Sequence, residues 1–180
     1  MASIDWKSNA DKIMAISATV TAVIALVVAV LQVRSEREFQ KLSVEPYLEI
    51  GSTGNADSDF YSFLLFNNGL GPAVIGSTEI RINGSNASNW AEAVPMVLGP
   101  GVELDFTYSD VDPNRRIRAE QIIELFKIAP YDETARQLQH RMVSGNIEYR
   151  VCYCSIYGDC WESAFDGEAT HLPVSACPID

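Results

Sequence analysis

Basic side chains are few in this chain. Thirteen Lys and Arg stand against 24 Asp and Glu, and there are only 2 His. The deficit is concentrated after residue 43, where 20 acidic and 8 basic side chains leave a net charge of −12. A field of that sign repels phosphate backbones and anionic head groups, which argues against nucleic acid as a partner. The shortage of imidazole limits acid–base chemistry in the same way. His140 lies in a charged helical segment and His171 in a C-terminal coil near Leu172 and Pro173, neither within a local catalytic signature.

Other chemical motifs are missing too. The glycine-rich run Asn67-Asn-Gly-Leu-Gly-Pro lacks the lysine of a phosphate-cradling loop and precedes no long helix, so positive-φ turn glycines are its simpler explanation. Glu103, Asp105, Asp110 and Asp112 miss the spacing of a calcium loop and read as an acidic strand-end turn. No catalytic residue, cofactor or metal ligand is assigned from the sequence.

One absence is positive evidence. Residues 13–33 contain no charged side chain, and at about 1.5 Å per residue they span roughly 31 Å, the thickness of a bilayer's hydrocarbon core. The run is longer than a signal-peptide core and lacks a small-x-small cleavage site after it, so an uncleaved anchor is expected. The domain plan is therefore an N-terminal tail (1–12), a transmembrane helix (13–33), a charged helical stalk (34–43) and a folded body (44–180). Lys7 and Lys12 before the span nearly balance Arg34, Arg37 and Lys41 after it. The two arginines at the helix end tilt the count slightly towards a cytoplasmic body, with the periplasm as the other possibility.

The alanines of that span are Ala15, Ala18, Ala22, Ala25 and Ala29, in steps of 3 and 4. Such steps align them along one face of a helix. Small side chains let two membrane helices approach closely, so the line reads as a helix–helix interface, with another copy or with a larger membrane complex. Ser17, Thr19 and Thr21 are expected to bond back to carbonyls of the preceding turn.

In the body, Val44 to Ile50 alternates like a strand, Phe60 to Phe66 reads as a strand buried on both faces, and Ala73 to Asn83 as a third. Val102 to Tyr108 alternates after a Gly-Pro-Gly turn. Ile147, Tyr149, Val151 and Tyr153 share one face of a strand that runs to Tyr157 and turns through Gly158-Asp159 into Cys160 to Phe165. The stretch 116–142 is predicted as one or two helices, over Ala119–Lys127 and Glu133–Met142, broken at Pro130. The fold class is mainly β, an antiparallel sandwich with one or two short helices, tethered by a single membrane helix and stalk.

Cys152, Cys154, Cys160 and Cys177 form a possible thiol cluster. Cys152 and Cys154 share a strand face. A two-residue hairpin loop puts Cys160 on the opposite face, whereas a three-residue loop brings it to theirs. Reduced buried thiols suit a cytoplasmic body, two disulfides with Cys160 or Cys177 as partners of the CxC pair suit a periplasmic one, and a zinc site fits the spacing least well.

The order of an N-terminal span, a charged stalk, "SVEPYLEI", "LLFNNGLGPAVI" and a late "YCSIYGDCW" hairpin resembles a group of uncharacterised bacterial single-pass membrane proteins with a small immunoglobulin-like sandwich. The resemblance implies the fold and an inner-membrane location; no activity comes with it. Together these features predict a non-catalytic, membrane-anchored interaction or accessory subunit that assembles through the alanine face. The alternative is a ligand-sensing effector whose sandwich binds a small molecule or peptide and controls helix assembly. An enzyme using Cys154, Cys160 and His140 ranks third.

Overall fold

The computed structural model describes residues 6–99, 105–166 and 169–178. Two compact units meet between Leu42 and Ser43. The first is the helix α1 (Trp6–Ser43), already helical in the segment read as a tail and continuous through the stalk. Within Lys12–Ser43 an 18-residue window reaches a mean hydropathy of 2.6, so the helix is long and apolar enough to cross a membrane. Ser17, Thr19 and Thr21 donate to the carbonyls of Met14, Ala15 and Ser17, which satisfies their hydroxyls inside the helix as expected.

The second unit is mainly β. Its strands are β1 (Leu48–Asn55), β2 (Phe60–Asn67), β3 (Ala73–Ile82), β4 (Ser85–Ala87), β5 (Phe106–Tyr108), β6 (Arg116–Ile117), β7 (Ile122–Ile128), β8 (Ile147–Cys154), β9 (Cys160–Phe165) and β10 (Ala169–Val174), with helices α2 (Trp90–Leu98) and α3 (Glu133–Val143) between them. One antiparallel sheet has the order β1-β2-β7-β5 and the other β10-β9-β8-β3-β4, with β6 also on β3. Both sheets contribute to a single apolar core. Phe63 of β2 is its centre, with its ring 5.5 Å from Trp90, 5.6 Å from Phe126 and 6.2 Å from Tyr149.

Period-2 patterning positions these strands. Ile147, Tyr149, Val151 and Tyr153 all face inward, each at most 1% exposed. The first half of the expected strand Val102–Tyr108 lies outside the described residues, as does Glu103. The helix expected over Ala119–Lys127 is instead β7, a central strand between β2 and β5. Its Ile123, Leu125 and Ile128 are buried, and pairing with β2 on one side and β5 on the other overrides the helical propensity of its Glu, Leu and Lys. The second predicted helix, over Glu133–Met142, forms as α3, capped by the Asp132 carboxylate accepting the Ala135 N–H at 2.9 Å.

Helix α2 has no counterpart in the sequence reading, although its start is encoded. Asn89 accepts the Glu92 N–H at 2.9 Å, and Glu92 reaches back to the Ser88 N–H at 2.7 Å, a variant of the capping box. The hydrogen bonds from Ser88 hold the Glu92 carboxyl below its ordinary pKa.

Candidate functional site: the cysteine-bearing sheet

Strand β8 divides its side chains by parity. The odd positions enter the core, so Glu148, Arg150, Cys152 and Cys154 lie on the outer face of the larger sheet. Arg150 is held there by Glu148 and, at 3.3 Å, by Glu162 of β9. Cys154 stands directly opposite Cys160 in the ladder. The strand therefore ends at Cys154, and the connection is the five-residue loop 155–159. Two-residue closure through Gly158-Asp159 does not occur, because the Ser155 N–H is satisfied by the Asp159 carbonyl at 2.8 Å and the Ser155 hydroxyl accepts the Tyr157 N–H at 3.1 Å. The longer loop keeps Cys160 on the face of the CxC pair.

All four cysteines are bonded. Cys154 pairs with Cys160 and Cys152 with Cys177, 25 residues further on. Of the three states open to the thiols, the chain is in the doubly disulfide-bonded one; the reduced state that suits a cytoplasmic body is absent among the described residues. The sulfurs of Cys154, Cys160 and Cys177 lie within 4.8 Å of one another, but in disulfides they present no thiolate to a metal. The tail that delivers Cys177 crosses the sheet at Gly76, where any Cβ would clash with it. Cys152 is thereby sealed at 3% exposure, while the other three cysteines are half-buried.

On the inner side, Tyr153 joins the two sheets. Its hydroxyl accepts the Leu48 N–H of β1 at 3.0 Å and contacts His171 Nε2 at 2.7 Å. Ser163 donates to the Leu48 carbonyl beside it. A neutral imidazole with its proton on Nδ1 would accept the phenol proton at Nε2, the roles following the ring's tautomer. Burial favours the neutral ring, lowering the His171 pKa against the opposing charge of Glu45, and it pushes the Tyr153 phenol up to about 12. His171 thus serves a structural bond in the body. His140 is exposed on α3, and no hydrogen bond joins it to the cysteines among the described residues.

The glycine loop after β2 is a strap and not a turn of positive φ. Asn67, fully buried, accepts the N–H groups of Tyr47 (3.2 Å) and Gly69 (3.1 Å) and donates to the carbonyls of Gly71 (2.9 Å) and Ile117 (3.1 Å). Gly69 and Gly71 are required by close approach, since added Cβ atoms would stand 2.2 Å from the Tyr47 nitrogen and 1.7 Å from the Val44 oxygen. Asp110, one of the acidic group, is likewise structural: its Oδ1 accepts the Trp90 N–H at 3.2 Å.

The predicted interface residues Ala15, Ala18, Ala22, Ala25 and Ala29 are all exposed on α1, in one line. For a small molecule the body offers a hollow of about 320 Å³ lined by Thr107, Tyr108, Arg115 and Gln121, at the lower end of ordinary ligand pockets, and a smaller one of about 200 Å³ bounded by Trp90, Asp110, Asp112 and Tyr149.

A family model described as a domain of unknown function, DUF8453, matches residues 13–163. The chain belongs to this family. The DUF8453 match begins with the charge-free run and ends in β9, so it takes in the apolar helix, the smaller sheet, the larger sheet short of β10, and Cys152, Cys154 and Cys160, but neither His171 nor Cys177. No curated protein and no solved structure matches the chain.

Proposed function

We propose that this DUF8453 protein is a single-pass, membrane-anchored, non-catalytic interaction subunit that assembles through the alanine face of α1. The observation that carries the reading is the line of five exposed alanines on a helix of spanning length. Bulky Ile24, Val27, Val28 and Leu31 occupy its other faces, a division of size that suits helix packing on one side and lipid on the other. The family match, which includes helix and body together, supports treating them as one working unit.

The strand order supports an immunoglobulin-like reading of the body. Taking β1, β2, β7 and β5 as strands A, B, E and D, and β9, β8 and β3 as G, F and C, reproduces the two sheets of that architecture, with β10 added beyond G. Such sandwiches commonly present loops and sheet faces to protein partners.

Two disulfides favour an oxidising compartment, and they outweigh the near-even count of flanking charges. We therefore place the body on the extracytoplasmic side of a bacterial inner membrane, opposite to the slight lean of the charge count.

The decisive experiment is purification from native membranes in mild detergent, comparing the wild type with an Ala22→Leu/Ala25→Leu variant by mass and composition. The wild type is expected as a homo-oligomer or with a defined partner that the variant loses. Identical lone monomers would sink the reading. Labelling by a membrane-impermeant amine reagent in intact cells, read at Lys127, tests the placement of the body.

A further inference from the structure

The two disulfides touch. Cys154 Sγ lies 3.8 Å from Cys177 Sγ, although each belongs to a different bond. Structural disulfides gain nothing from such contact, since each constrains the chain through its own loop. Contact is what thiol–disulfide exchange requires, because a thiolate attacks a disulfide sulfur directly. The access is graded as well. Cys154 and Cys160 close a hairpin whose loop residues Ile156 and Tyr157 are about half exposed, whereas Cys152 lies sealed beneath the tail.

We propose that the four cysteines form a thiol–disulfide exchange site whose substrate is a dithiol, with Cys154–Cys160 as the outer bond and Cys152–Cys177 as the inner one. A thiolate of the dithiol attacks Cys160 Sγ; a mixed disulfide forms, and Cys154 Sγ leaves with the electron pair. The Cys154 thiolate attacks Cys177 Sγ. The Cys154–Cys177 bond forms, the Cys152–Cys177 bond breaks, and Cys152 Sγ takes the electron pair and a proton from water. The second thiol of the dithiol then resolves the mixed disulfide and releases Cys160. In sum the dithiol is oxidised to a disulfide, and the chain gains two electrons and two protons, ending with a Cys154–Cys177 bond and two thiols. The sealed Cys152 position suits the final thiol, since a protonated cysteine behaves as a small apolar side chain.

This inference leaves the assembly role of the alanine face in place but replaces the non-catalytic part of that reading, and its test reads bonds and not assembly. The full chain carrying Cys160→Ser is purified in detergent, held overnight at pH 8.5 and quenched in acid. It is then alkylated with N-ethylmaleimide under denaturing, mildly acidic conditions, and tandem mass spectrometry locates the label. Exchange places label on Cys152 as well as Cys154, with Cys152 carrying on the order of a tenth or more of the total. Label confined to Cys154 overturns the proposal. The wild type gives a second, variant-free reading after treatment with one equivalent of dithiothreitol. The two-thiol species is expected to carry label on Cys152 and Cys160, and a species labelled only on Cys154 and Cys160 is the contrary result.

Discussion

Gly76 of β3 lies against Cys177, so that a Cβ at position 76 would stand 2.4 Å from the Cys177 Cβ and 2.7 Å from its Sγ. The sheet face is thus shaped for the tail that crosses it. Gly76→Ala should destabilise the chain by about 1–3 kcal/mol, the usual cost of overpacking. The cause can be isolated by repeating the change in a Cys152→Ser/Cys177→Ser background, where the tail is free to move aside. There the cost should shrink to a few tenths of a kcal/mol, as coupled neighbours are non-additive. Equal costs in both backgrounds, measured by denaturant midpoint in detergent, would show that Gly76 matters for another reason.

Asn67 makes four hydrogen bonds from a fully buried position and ties Tyr47 and the 69–71 loop together. Asn67→Ala leaves buried donors and acceptors unpaired, so a loss on the order of 4 kcal/mol is expected. The neighbouring Asn68 provides the contrast. Its contact with Glu49, 2.7 Å at the surface, should be worth less than about 0.5 kcal/mol on substitution by alanine. Comparable losses at the two positions would remove Asn67 from its role as a strap.

How far these features were legible in the sequence follows from the range of the interactions that create them. The charge-free run of α1 and the alternation in β8 are local signals that point to the right elements, whereas the alternation of Val44–Ile50 overlaps β1 only from Leu48 on. Cys152 and Cys154 were correctly placed on one face by the same period. Their partners were not legible, because Cys154–Cys160 depends on a five-residue loop held by Ser155, and Cys152–Cys177 on a tail that finds Gly76 across the sheet. The Ile-Ile-Glu-Leu-Phe-Lys of β7 carries helix formers, and only pairing with β2 and β5 decides its state. The glycines of the 67–71 loop read as positive-φ turn residues, and neither Gly69 nor Gly71 has a positive φ. The reason for them, contact with Val44 and Tyr47, is long-range and left no local trace.

His171 should give the body a pH-dependent stability. Its folded pKa is lowered from 6.5 by burial, so the unfolded chain binds the proton more readily than the folded one. The associated stability is fully present above pH 6.5 and is lost as the pH falls below it. His171→Gln can still hydrogen-bond the Tyr153 hydroxyl but does not titrate. Urea midpoints at pH 8 and pH 5.5 should therefore fall further for the wild type than for the variant. Parallel declines would assign the whole acid response to carboxylates.

The two disulfides should differ in their contribution to stability. In the chain-entropy account a cross-link stabilises according to the loop it closes, and the sequence separations here are 25 for Cys152–Cys177 and 6 for Cys154–Cys160. The corresponding values are about 3.5 and about 2 kcal/mol. Removing the inner pair by Cys152→Ser/Cys177→Ser should thus lower the denaturant midpoint of the full chain more than removing the outer pair by Cys154→Ser/Cys160→Ser. The inner pair also secures the tail over Gly76, which adds to the same side of the comparison. The reverse ranking would mean that the hairpin bond carries the greater structural load, and an outer bond of that kind would be poorly suited to opening for exchange.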